Sequence, residues 1–194
     1  MNEGLTPDAV VPLLRGRLGR PYSYVERTTS TQRLLGNDDP DGAVAVADEQ
    51  SEGRGRLGRR WYAAPATSVL CSVLLRPSVE TPRLPELSLV AGRAVAAAIA
   101  AQTGLEPELK FPNDVLIGGR KAAGILAEAS EGRVVLGIGV NVNQTADELP
   151  ADVELAPTSL RLETGAPVAR APLLAEILFR LEQELSTWLS GGAA

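Results

Sequence analysis

Histidine is absent from this 194-residue chain, and there are only one cysteine and two lysines, against 17 arginines. Without histidine there is no Ser-His-Asp or Cys-His arrangement for nucleophilic catalysis, and the commonest metal ligand is missing. A single cysteine adds nothing for zinc, so no metal-ligating residues are assigned. It also excludes a disulfide within the chain. Cys71 lies in the apolar run of residues 69–75 and reads as a buried core thiol. No apolar run is long enough to span a bilayer: the longest candidate, residues 84–101, is broken by Glu86 and Arg93. Residues 1–10 are acidic and lack the basic start and apolar stretch of a signal peptide. Repeats, linkers and low-complexity segments are missing as well. These absences predict one soluble cytoplasmic domain over residues 1–194, large enough to bury a core without disulfide or metal. The net charge of −5 argues against a general nucleic-acid binder.

Against that acidic background stands the segment Gly53-Arg54-Gly55-Arg56-Leu57-Gly58-Arg59-Arg60-Trp61, with four arginines and three glycines in its first eight residues. Glycines give the backbone freedom and let it approach a ligand closely. Guanidinium forks match phosphate and carboxylate oxygens. Such a loop is suited to closing over an anion; taken alone it reads equally as a solvated basic turn. The two lysines, Lys110 and Lys121, hint at places where a compact charge is required.

Thr6-Pro7 ahead of Val10, Val11, Leu13 and Leu14 predicts a capped helix start. Residues 22–26 alternate as a short strand, and Thr29-Ser30-Thr31 offers an N-cap to a brief helix through Leu34 and Leu35. Residues 37–42 form a turn-rich loop. Apolar strands are expected at residues 43–47 and 69–75, and an alanine-rich buried helix at 85–102, with Gly104 as its C-cap. A meander follows. Residues 115–117 lead to the Gly118-Gly119 hairpin turn, residues 122–127 return, Glu131-Gly132 turns again, and residues 134–142 form the next strand. After a loop at 150–157, Leu173, Leu174, Ile177, Leu178, Leu181, Leu185, Trp188 and Leu189 repeat at helical spacing, which predicts a closing helix packed on the core. The expected architecture is α+β: a single mixed, largely antiparallel β-sheet covered by helices.

Two further constellations stand out. In Lys110-Phe111-Pro112-Asn113-Asp114, proline breaks the strand and presents Asn113 and Asp114 at a bend. The pair could cap a turn, or it could bind a ribose or base and a magnesium ion. Lys110 and Lys121 are expected on opposite arms of the Gly118-Gly119 hairpin, facing one cleft. In Gly137-Ile138-Gly139-Val140-Asn141, glycines inside a strand point to close approach of another group, or to a bulge or a packed helix. No helix opens directly after it, so it is not a dinucleotide fingerprint.

Thr29-Ser30-Thr31-Gln32, then Gln50 ahead of the arginine loop, Lys110-Phe111-Pro112-Asn113-Asp114, Arg120-Lys121-Ala122-Ala123-Gly124-Ile125-Leu126, and Gly137-Ile138-Gly139-Val140-Asn141 resemble, in this order and spacing, the motifs of biotin protein ligases. The resemblance spans residues 24–188. It implies a catalytic domain in which biotin and ATP give biotinyl-5′-adenylate and pyrophosphate, after which a lysine on the biotin carboxyl carrier domain of a biotin-dependent carboxylase takes the biotinyl group. ATP and Mg2+ would be co-substrates, with no tightly bound cofactor. Carried over by motif, Ser30, Thr31 and Gln32 would contact the biotin head group. Gln50, Arg54, Gly55, Arg56, Trp61, Lys121 and Gly124 would bind biotin or its adenylate, and Lys110, Asn113, Asp114 and Asn141 would lie near the nucleotide. Lys121 and Arg56 would act on the α-phosphate, and Asp114 would accept or orient the proton of the acceptor amine.

The chemistry agrees with that assignment. A carboxylate must meet a triphosphate, so fixed cations lower the barrier, and magnesium would help pyrophosphate leave. The adenylate is hydrolysable, so a loop that orders over it keeps water away. The chain departs from the family in having Gln32 where asparagine is usual, and Phe111, which lacks an indole donor, where tryptophan is usual. Neither the small C-terminal barrel common in the family nor the N-terminal DNA-binding domain of its regulatory members is expected here, so no DNA partner and a monomer or homodimer are anticipated. The alternatives are a lipoate ligase or acyltransferase of the same fold, a non-catalytic binder of biotin or its adenylate, and a polyanion-binding domain. The Arg-Gly-Arg loop argues against the first, and net acidity with scarce lysine against the last.

Overall fold

The apolar runs of the sequence become the strands of one sheet: β1 (Tyr22–Thr28), β2 (Val44–Gln50), β3 (Ser68–Leu75), β4 (Glu108–Lys110), β5 (Asp114–Ile117), β6 (Arg120–Ser130) and β7 (Arg133–Asn141). Their spatial order is β1-β2-β3-β7-β6-β5-β4. β1 runs parallel to β2 and the other neighbouring pairs are antiparallel, which is the expected mixed sheet. The computed structural model describes residues 4–78, 81–130, 132–151 and 153–191. The ends of the expected 1–194 domain lie outside the described residues. So do Glu131 of the expected Glu131-Gly132 turn and Asp152 of the 150–157 loop.

Turn chemistry sets the register of the meander. Gly118 and Gly119 take φ of 55° and 76°, as a two-residue hairpin turn requires, and β5 folds back on β6. The sheet's middle is closed to solvent: every residue of β3 is buried, the polar Ser68 and Ser72 included.

The helices are α1 (Pro7–Val10), α2 (Leu87–Thr103), α3 (Leu160–Thr164) and α4 (Arg170–Leu189). α2 and α4 pack together over one face of the sheet. There Val46, Cys71, Val73, Ala123, Ile125, Leu136, Ile138 and Val140 meet Val90, Ala94, Ala98, Leu173, Ile177, Leu181 and Trp188 in one core. Trp188 is fully buried, and truncating such a side chain costs about 3–5 kcal/mol. The two charges that interrupt the apolar run at 84–101 are both used. Arg93 Nε lies 2.8 Å from Glu184 Oε2 on α4, and Glu86 Oε2 accepts the indole N–H of Trp188 at 2.6 Å. Among the described residues no helix is long and apolar enough to cross a membrane.

Several local expectations shift. α1 stops at Val10 and tightens to a 3-10 turn at Val11–Leu13, because Pro12 removes a donor and its ring opposes continuation. Neither Thr6 nor Ser30 makes a side-chain cap bond. α2 starts two residues later than expected, after a 3-10 turn at Thr81–Glu86 that contains Pro85. Gly104 does cap it, with φ 72° and its N–H donating to Ala100 O. Leu189 is 45% exposed, because the inward position at that turn of α4 belongs to Trp188. α3 was not expected; Ser159, which accepts from Leu162 N, and Gly165 at φ 75° are the start and stop signals that mark it.

The opposite face carries small residues. Alternation along β7 sends Val134, Leu136, Ile138 and Val140 into the helical core and leaves Gly137, Gly139 and Asn141 on the other side. A second cluster of Leu35, Ala43, Ala45, Leu74 and Val135 closes one end of that side.

Candidate functional site

A cavity of about 560 Å³ lies on the small-residue face, within the usual range for a small-molecule site. The glycines of the sheet are where other groups come close. A Cβ on Gly139 would stand 2.6 Å from Trp61 Cε2, one on Gly124 2.9 Å from Trp61 Cζ3, and one on Gly137 3.1 Å from Gln32 Cδ. The close approach expected of glycines inside a strand is therefore made by side chains, not by a packed helix.

Lys121 reaches this face through a bulge. Asp114 pairs with Gly124 and Val115 with Ala123, but Leu116 pairs with Lys121, so Ala122 is extra. Strict alternation would set Lys121 on the side opposite Gly124; the bulge returns it to the cavity. Its backbone is then held by a strap from the 150–157 loop: Lys121 N donates to Ala156 O at 2.8 Å and Thr158 N to Lys121 O at 2.9 Å. Lys121 Nζ lies 2.6 Å from Asp114 Oδ1 and 5.7 Å from the centroid of the Trp61 ring. The Lys121 ammonium is the charge partner of the buried Asp114 Oδ1. The indole N–H of Trp61 is also buried without an acceptor. Lys110 corrects the hairpin expectation. It sits on β4, separated from β6 by β5, and not on an arm of the Gly118-Gly119 turn, yet both lysines line the cavity.

The arginine loop is a small hairpin over the mouth. Arg54 and Arg60 pair as an antiparallel bridge, Trp61 N donates to Gly53 O at 2.9 Å, and Gly55 N donates to Arg59 O at 2.7 Å. Gly53 is required, since a Cβ there would lie 2.4 Å from Trp61 O. At the tip Leu57 takes φ 57° and ψ 36°, a left-handed conformation that costs a leucine about 1 kcal/mol. Arg54 Nη1 is 2.8 Å from Glu128 Oε2, Arg59 Nη1 is 3.0 Å from Glu154 Oε2, and Arg60 donates to Ser51 O at 2.7 Å. The Arg56 side chain has no hydrogen bond or ion pair among the described residues, yet Arg56 lines the cavity.

At the sheet end, Gln50 Oε1 accepts from Thr31 N at 2.7 Å and Thr31 Oγ1 at 3.1 Å, and Thr31 Oγ1 also meets Ser72 Oγ at 2.8 Å. Gln32 Nε2 donates to Leu126 O and Val135 O at 3.3 and 3.4 Å. Ser30, Thr31 and Gln32 are all buried against the cavity. Asn113 does not cap its own bend but is tied to β6: its Nδ2 donates to Ile125 O at 2.9 Å and its carbonyl accepts from Ile125 N at 2.9 Å. Asn141 Nδ2 donates to Thr158 O at 3.0 Å and its Oδ1 accepts from Gln144 Nε2 at 3.1 Å. Cys71 is buried, and burial pushes its thiol up to about 12, so it is no nucleophile at neutral pH.

Every residue expected at the site therefore lines one cavity: Ser30, Thr31, Gln32, Gln50, Arg54, Gly55, Arg56, Trp61, Lys110, Asn113, Asp114, Lys121, Gly124 and Asn141. Sequence reasoning missed Ser72, Gln144 and the 156–158 strap. Ser72 could have been found as a polar break in an apolar strand; Gln144, fully buried, leaves no sequence signal.

Residues 24–144 match the Biotin/lipoate A/B protein ligase family. The chain is 36% identical over 184 residues to the bifunctional ligase/repressor BirA of Bacillus spizizenii, a match over 90% of this chain and 57% of that protein. It is 38% identical over 178 residues to the biotin–[acetyl-CoA-carboxylase] ligase of Mycobacterium tuberculosis, over 87% of this chain and 65% of that protein. It thus spans somewhat less than two thirds of these relatives. Among solved structures, the biotin protein ligase of Aquifex aeolicus in complex with biotin and ATP superposes with a TM-score of 0.80 at 34% identity, covering 87% of this chain and 72% of that one.

Proposed function

The chain belongs to the biotin/lipoate A/B protein ligase family, and from that premise we propose that it is a cytoplasmic biotin protein ligase. It would activate biotin with ATP and transfer the biotinyl group to a lysine of a carboxylase carrier domain. One observation carries the reading: an unpaired Arg56 and a bulge-delivered Lys121 converge on one cavity under a glycine-built loop. Similarity supports the same ligand set, since relatives are named for biotin and a carboxylase acceptor and one solved relative holds biotin and ATP.

In the first step a carboxylate oxygen of biotin attacks the α-phosphorus of ATP. The new O–P bond forms as the bond to the bridging oxygen breaks, and pyrophosphate leaves with that electron pair. Lys121 and Arg56 offset the charge that develops on the α-phosphate. Gln50, Ser30, Thr31 and Gln32 hold the head group, and Trp61 covers the adenylate. The buried indole N–H of Trp61, which has no acceptor, is the donor a ligand would satisfy. Asp114 is the carboxylate fitted to one position of a magnesium ion carried on the triphosphate, because such ions take one or two protein carboxylates and otherwise water and phosphate. That ion would supply charge neutralisation for the leaving pyrophosphate. In the second step a neutral lysine amine attacks the acyl carbon. The C–N bond forms, the C–O bond to phosphate breaks, AMP departs, and Asp114 is placed to take the amine's proton.

The test is incubation with biotin, ATP, magnesium and a carboxyl carrier domain, read by mass. A single biotinyl adduct is expected. Absence of any biotin-dependent exchange of pyrophosphate into ATP would refute the reading; lipoate in place of biotin should give no adduct.

A further inference from the structure

We propose that the rim of the cavity is the docking surface for the acceptor domain, with Leu57 and Phe111 as its apolar anchors. Given the acyl transfer proposed above, on which this assignment rests, the acyl carbon lies below the loop. A lysine side chain is short, so the domain that carries it must press on whatever stands around the mouth. Leu57 is 85% exposed and Phe111 77%, the highest exposures among the large apolar side chains of the described residues. Leu57 is at the tip of the arginine loop, whose Gly55, Arg56 and Arg59 line the cavity, and Phe111 lines it at the bend between β4 and β5.

A lone exposed leucine needs no explanation, but Leu57 is held out by its backbone. Its φ of 57° would suit glycine or asparagine without strain, yet a large apolar side chain is placed there and given nothing to pack on. Charge adds a second observation. The Lys110 side chain, next to Phe111, and the Arg56 side chain, next to Leu57, have no hydrogen bond or ion pair among the described residues, on a chain whose net charge is −5. Apolar anchors, each beside one unpartnered cation, fit a carrier domain whose surface beside its lysine pairs exposed apolar residues with carboxylates.

Leu57→Asn keeps the left-handed tip and removes the anchor; Phe111→Ser removes the other. Three rates are measured side by side: biotin-dependent pyrophosphate exchange, capture of the adenylate by hydroxylamine, and transfer to the carboxyl carrier domain of acetyl-CoA carboxylase. The expected result is a KM for the carrier raised about tenfold per variant, a KM that rises with salt alike in parent and variants because the cations are untouched, and unchanged exchange and hydroxylamine capture. A parental carrier KM in both variants would overturn the assignment. So would a Leu57→Asn change confined to the sedimentation of the enzyme itself, which would give the patch to self-association. No exchange in the parent chain would instead sink the acyl-transfer reading beneath it.

Discussion

Lys121 and Arg56 owe their positions to different devices, a bulge and a hairpin tip, and their variants should fail differently. Lys121→Ala should slow pyrophosphate exchange roughly 100- to 1,000-fold, the range for losing one charge-stabilising donor, with little change in melting temperature. Exchange at the parent rate would make Lys121 a bystander. Arg56→Ala removes one charge-assisted contact, so adenylate held through rapid filtration should be lost about tenfold faster; unchanged retention would exclude the role. At Gly139 the clash with Trp61 is predictable from the 2.6 Å approach. Gly139→Val should unseat the indole at a cost of about 1–3 kcal/mol, read as weakened ligand binding and increased Trp61 accessibility to a quencher. The resemblance to the biotin protein ligase motifs already pointed to Arg56 and Lys121 in the sequence. What they could not show is that Lys110 stands one strand further out, since Lys110-Phe111-Pro112 does not reveal which arm of the meander it joins.

Elements were legible where a local signal decides them. Gly118-Gly119 marks a hairpin and Gly104 a helix end because only their φ values permit those turns. The bulge at Ala122 was not legible, because two alanines in a row do not say which is extra. The lock between α2 and α4 was also hidden, since Glu86 and Trp188 are 102 residues apart. Glu86 is held below the usual carboxylate range chiefly by the Trp188 indole N–H, with Arg83 assisting and partial desolvation opposing. A carboxyl lowered in the folded state stabilises above its unfolded value and loses that contribution as pH falls through the folded one. Glu86→Gln keeps an acceptor and drops the charge. The melting-temperature gap between parent and variant should therefore close as the pH is taken from about 6 to about 3. A gap constant across that range would show that the charge is not what holds the helices together.

At the scale of the whole molecule, the sheet separates support from chemistry, with helices on one side and the cavity on the other. A ligand that binds only the folded protein must stabilise all of it. Biotin with ATP at about 100 times Kd should add about 2.7 kcal/mol, a rise in melting temperature of roughly 5–10 °C for a domain of this size. A melting temperature indifferent to both would count against the cavity as their site. The separation also sorts mutations by arithmetic. Along β7 the even-numbered positions 134 to 140 face the helices, and 137, 139 and 141 face the ligand side. A random library of this strand, scored for solubility and for turnover, should split by parity. In β6 the bulge reverses the rule: Lys121 lies on the ligand side and Ala122 in the helical core, whereas beyond it Ala123 and Ile125 face the core and Gly124 the ligand.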